Sequence, residues 1–112
     1  MLRVLFVCSQ NKLRSPTAEQ VFASYTGIEC ASAGTNNDAE NPLTAELVDW
    51  AQVIVVMEKQ HRVKVSTRFR KHLAGKRIVC LDIPDNYAFM QAELVGLLEA
   101  RAARFLPRQL SV

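Results

Sequence analysis

Val4-Leu5-Phe6-Val7-Cys8-Ser9-Gln10-Asn11-Lys12-Leu13-Arg14-Ser15-Pro16 joins an apolar run to a polar loop that has a cysteine at its start and an arginine six positions later. Arg3 to Val7 is short, apolar and rich in β-branched residues, the pattern of a buried strand; Ala18, Val21, Phe22 and Tyr25 recur at helical spacing. Ser15 suits an N-cap and Pro16 the first helical turn. Residues 8 to 15 are therefore expected to form a loop whose backbone N–H groups converge, with a helix N-terminus, on one anion. The helix dipole and the Arg14 guanidinium both favour a thiolate at Cys8 over the neutral thiol, and Arg14 can grip two phosphoryl oxygens at once.

The alternation continues along the chain. Ile28 to Ala33 reads as a second strand, Pro42 to Trp50 as a short helix and Val53 to Met57 as a strand buried on both faces. A basic helix is predicted over Glu58 to Leu73, a fourth strand over Arg77 to Leu81, and a last helix from Gln91 to Leu106, stopped by Pro107. Strands alternating with helices predict an α/β fold: a four-stranded parallel sheet with helices on both faces, in a single domain spanning 1–112.

Composition narrows the setting. No apolar run approaches the length of a membrane span, Val4 to Cys8 is too short for a signal-peptide core, and three cysteines without paired spacing point to a reducing cytoplasm. No cluster has metal-ligand spacing, so no metal or other cofactor is expected. Net charge is only +3, yet eight of the fourteen Lys and Arg fall within Lys59 to Arg77, which contains no acid. Such a block reads as a solvated helix face ahead of a surface for nucleic acid or an acidic partner, and its far end (Arg70, Lys71, Lys76, Arg77) is expected at the sheet edge remote from Cys8. Cys30 and Cys80, inside apolar runs, read as core thiols, His61 and His72 as solvated surface residues, and Trp50 as packing.

Cys8-x5-Arg14-Ser15-Pro16, with Ala18-Glu19 after it, resembles the low-molecular-weight protein tyrosine phosphatase family, in a short form. Ser32-Ala33-Gly34-Thr35, Val53 to Glu58 and Ile78 to Asp82 fall where that family has its second strand end, third strand and acid-bearing loop. The resemblance implies strand order 2-1-3-4, Cys8 as nucleophile, and phosphate binding by Ser9, Gln10, Asn11, Lys12, Leu13, Arg14 and Ser15. It further implies a left-handed Asn11, a Ser15 hydroxyl donating to the thiolate, and Ser32 bracing Asn11. Gln10 replaces the family's usual glycine, Leu13 a second cysteine found in many members, and Lys12 brings a cation to the rim. The stretch between Thr35 and Val53 is short, and the family's supporting histidine has no evident counterpart.

The expected cycle is attack by Cys8 on phosphorus, a phosphocysteine intermediate, and hydrolysis. The candidate general acids are Asp82 and Asp85 in Leu81-Asp82-Ile83-Pro84-Asp85-Asn86-Tyr87. Asp82 is preferred because it directly follows the fourth strand, although Ile83 separates it from the proline that follows the family's acid at once. Tyr87 and Phe89 are candidate walls of a pocket for an aryl ring. The expected substrate is a phosphotyrosine protein or a small aryl phosphate, with phosphate or vanadate as inhibitors; no membrane and no nucleic acid partner is expected. The alternatives are an arsenate reductase of the same fold, or a non-catalytic module that binds phosphate or a phosphoprotein.

Overall fold

The computed structural model describes residues 1–107. Its elements are β1 (Leu2–Cys8), α1 (Arg14–Phe22), β2 (Ile28–Gly34), α2 (Ala45–Trp50), β3 (Val53–Val56), α3 (Lys59–Arg68), a 3₁₀ turn (Arg70–His72), β4 (Arg77–Cys80) and α4 (Ala92–Ala102). The strands form one parallel sheet in the order β2-β1-β3-β4, as expected. Register puts Cys8 beside Gly34, Val7 beside Val56, and Val56 beside Cys80. All four strands therefore end at one edge, and the segments that follow them meet there.

The sheet is buried on both faces because β1 from Val4 onward and all of β3 are apolar. Val4, Phe6, Cys8, Val55 and Met57 face one layer with Phe22 of α1 and Leu94 and Leu98 of α4. Leu5, Val7, Ile54 and Val56 face the other, with Val48 of α2 and Val65 of α3. Phe6 stacks on Phe22 at 5.5 Å between ring centroids, which fixes α1 over the strand that carries Cys8.

Element boundaries differ from the expectation for local reasons. Residues 42–43 are not helical: Pro42 bridges Gly34, Leu43 N–H donates to Gly34 O (2.8 Å), and the helix waits for Thr44, whose hydroxyl caps Leu47 N–H (3.2 Å). The basic helix ends at Arg68, where Phe69 leaves helical geometry and a 3₁₀ turn follows. Ser15 is not the N-cap of α1. Helical bonding starts two residues earlier, with Thr17 N–H donating to Leu13 O (3.1 Å), and Pro16 lies where a helix has no use for an N–H.

Gly34 decides how closely β2 approaches the Cys8 loop. A Cβ there would lie 2.5 Å from Ser9 O, 2.5 Å from Ala39 Cβ and 3.0 Å from Asn11 N. Gly34→Ala is therefore expected to destabilise by about 1–3 kcal/mol and to weaken binding of inorganic phosphate, read by urea unfolding and calorimetry. Gly96→Ala, on the exposed side of α4 with nothing within 4 Å of the new Cβ, should instead stabilise by roughly 0.5–1 kcal/mol. Equal effects of the two substitutions would contradict the packing argument.

Candidate active site

The loop after β1 is shaped by where its carbonyls go. Cys8 O accepts from Thr35 N–H (2.9 Å), Ser9 O from Asn36 N–H (3.0 Å) and Gln10 O from Glu40 N–H (3.0 Å). A trans peptide holds the next N–H opposite its C=O, so the amides of Ser9, Gln10 and Asn11 point away from the 35–40 segment. Asn11 completes the curl with φ 56°. On the free side is a small cavity of about 40 Å³ lined by Cys8, Ser9, Gln10, Lys12, Leu13, Arg14 and Asp85.

Cys8 is buried, with Sγ 2.9 Å from Ser15 Oγ. Asn11 Nδ2 donates to the same hydroxyl (2.9 Å), so the Ser15 proton is free to go to the sulfur, 2.9 Å away, ahead of its longer contact with Ala33 O (3.5 Å). Ser32 does not brace Asn11: its hydroxyl donates to Glu19 Oε1 (2.5 Å), and Asn11 is held through Ser15 instead.

Arg14 is only 2% exposed. Its Nη1 donates to the Glu58 carboxylate and to Ile83 O (2.8 Å), using both hydrogens of that nitrogen. The Nε–Nη2 edge, with its two parallel N–H bonds, is left for two oxygens of a ligand. Asp85 Oδ1 stands 3.7 Å from Nε on that side. Arg14 holds the Glu58 carboxyl below the usual carboxylate range, its hydrogen bond outweighing the upward push of burial.

Of the two candidate acids, the cavity includes Asp85 and not Asp82, which reverses the preference drawn from sequence. Past β4 the chain keeps two hydrogen bonds to the end of β3, Leu81 N–H donating to Val56 O (3.0 Å) and Ile83 N–H to Met57 O (2.8 Å). Leu81 and Ile83 pack on the face that holds Cys8, while Asp82 between them takes left-handed backbone (φ 54°) and its Oδ1 lies 3.5 Å from Cys80 Sγ. Arg101 of α4 clamps the backbone of this segment, donating to Leu81 O (2.9 Å) and Asp82 O (2.7 Å). Tyr87 packs against the core and Phe89 is exposed; neither lines the Cys8 cavity.

Two functional neighbours escaped the sequence reading. Glu58 ends the segment after β3, and an acid leaving a buried strand at the ligand edge is the signal that could have found it. His61 is no surface residue: it is fully buried, its Nδ1 accepting from Glu58 N–H (3.0 Å) and its Nε2 lying 2.8 Å from Ser9 Oγ. His72 is partly exposed and bonds Asp49 Oδ1 (2.9 Å). Cys30 and Cys80 are half-buried against the two core layers, and burial is the largest cause pushing up both thiols, Cys30 to about 11. In the basic segment, Arg68 donates to Thr35 O (2.5 Å), while Arg77 pairs with Val53 at the far end of the sheet. Among the described residues no helix is long and apolar enough to cross a membrane.

Residues 3–52 match the family model of low molecular weight phosphotyrosine protein phosphatases. No curated protein matches the chain. Among solved structures, Wzb from Vibrio vulnificus in complex with benzylphosphonate superposes with a TM-score of 0.76 at 22% identity, covering 93% of this chain and 96% of that one. The tyrosine phosphatase Wzb from Escherichia coli K30, in complex with phosphate, gives 0.73 at 20% identity over 94% and 96% of the two chains. The YwlE arginine phosphatase from Geobacillus stearothermophilus gives 0.74 at 23% identity over 93% and 92%. At these identities the superpositions speak for the fold, and the match over residues 3–52 speaks for the loop that begins at Cys8. Over residues 3–52 the chain is similar to the low molecular weight phosphotyrosine protein phosphatases, and over most of its length it shares their fold.

Proposed function

We infer that the protein hydrolyses phosphomonoesters through Cys8, with phosphotyrosine as the substrate class. The observation that carries this is the convergence of Cys8, the free edge of Arg14 and Asp85 on one small cavity. With a phosphoryl group seated there, the Cys8 thiolate attacks phosphorus in line while the loop amides and Arg14 hold the equatorial oxygens. Asp85 gives a proton to the departing oxygen as the P–O bond breaks and the S–P bond forms. In the second step Asp85 takes a proton from water, the water oxygen attacks phosphorus, and phosphate leaves with Cys8 restored as thiolate.

The geometry favours this over arsenate reduction, which needs a second thiol to resolve the Cys8 adduct. Cys80 is separated from Val7 by β3, and Cys30 pairs with Val4, four residues back along β1. A non-catalytic phosphate-binding module accounts for the loop but leaves Asp85 without a role. The similarity to both tyrosine and arginine phosphatases makes the phosphorylated residue a matter for direct assay.

Phosphotyrosine peptide, phosphoarginine and arsenate with a thiol reductant should be offered side by side. Turnover of the first is expected; turnover of arsenate alone would overturn the reading. Cys8→Ser should lower turnover by at least about 10³-fold, and Arg14→Lys, which cannot present a paired edge, by roughly 10²–10³-fold, both remaining folded by circular dichroism.

The acid is identified by its leaving-group dependence. Asp85→Asn should cost roughly 10²-fold or more on phenyl phosphate and much less on nitrophenyl phosphate, whose leaving group departs without a proton. Asp82→Asn should do neither. The opposite pattern would return the role to Asp82.

A further inference from the structure

The junction between β3 and α3 grips the phosphate loop at both ends. Glu58 takes Arg14 at the end of the loop, and His61, one turn into the helix, takes Ser9 at its start. Glu58 N–H can only donate, so His61 Nδ1 must accept, and the ring proton therefore sits on Nε2. Burial lowers the imidazole to about 4, which keeps this neutral tautomer across the ordinary pH range. Nε2–H then donates to Ser9 Oγ over 2.8 Å. That bond occupies an acceptor site of the hydroxyl and leaves its proton to be given elsewhere. Among the described residues no acceptor takes it, and Ser9 lines the cavity shared by Cys8 and Arg14.

We propose that the Ser9 hydroxyl is a further catalytic donor, giving its proton in a hydrogen bond to an oxygen of the bound phosphoryl group, and that His61 is the positioning residue that aims it. A free serine hydroxyl rotates among three wells; one that must accept from a fixed N–H does not, and accepting polarises it as a donor. The contact adds a side-chain donor to the loop amides and Arg14, and it ties the start of the loop to the helix that also holds Glu58. The proposal rests on phosphate occupying the Cys8 cavity, and so on the hydrolase reading.

Titration calorimetry of inorganic phosphate into the full chain reads this contact without turnover. Ser9→Ala should weaken phosphate binding roughly tenfold, and Ser9→Thr, which keeps a hydroxyl, should restore most of it. In His61→Asn the amide oxygen can replace Nδ1 against Glu58 N–H, while nothing replaces Nε2–H. That variant should melt near the wild type yet bind phosphate as weakly as Ser9→Ala, and the double variant should bind no more weakly than either. Wild-type affinity in Ser9→Ala, or losses that add in the double variant, would overturn the proposal. If His61→Asn does not fold, the comparison of Ser9→Ala with Ser9→Thr decides alone. Phosphate binding by the wild type without turnover of any phosphoester would defeat the hydrolase reading and leave these arms decisive; no binding at all would defeat both.

Discussion

Three carbonyl oxygens turned outward make the site possible. Because Cys8, Ser9 and Gln10 give theirs to Thr35, Asn36 and Glu40, the amides that follow them point inward before any ligand arrives. Each such bond contributes only about 0.5–1.5 kcal/mol to stability, but together they fix several backbone dipoles that would otherwise have to reorganise around a charge. The need for that alignment reaches back to β2. Only a residue without a side chain lets its backbone come close enough, and the bonds of Gly34 to Asn41 and Leu43 set where the 35–40 segment starts and returns.

Arg14 poses the opposite problem, a charge almost withdrawn from water. Glu58 and Ile83 O answer it on Nη1, but an ion pair of this kind mainly offsets its own desolvation, so its value here is directional. By consuming one nitrogen it orients the guanidinium and presents the remaining edge. Removing Glu58 would leave the buried guanidinium with only the exposed Asp85 carboxylate, 3.7 Å from Nε, as counter-charge, so the fold and the site share this contact.

The sheet was legible because the centres of β1 and β3 are continuous apolar runs set between polar loops, and the Cys8 to Arg14 spacing named the loop. What could not be read depended on pairing partners distant in sequence. Ser15 beside Pro16 has the local form of a cap, yet its hydroxyl is drawn to Cys8 and Asn11. Asp82 ends a strand by pattern, but Leu81 and Ile83 stay bonded to the end of β3 and Asp82 between them turns into left-handed backbone, with its carboxylate beside Cys80. His61 sits among Lys59, Gln60 and Arg62, and no pattern of neighbours reveals that one polar residue of that turn faces Ser9. Helical ends failed similarly where a strand claimed residues 42–43.

The cysteine geometry carries a liability under oxidative stress. Leu13 stands inside the loop where a neighbouring thiol could have captured an oxidised Cys8, and the remaining two cysteines are set apart by the sheet register. Both are also held as thiols by burial, Cys30 up to about pH 11, so neither is a ready nucleophile. A sulfenic acid formed at Cys8 by peroxide would thus find no internal partner to convert it to a reducible disulfide. Its protection must come from small thiols able to enter the cleft; where they are slow, further oxidation to the sulfinic acid makes the damage permanent.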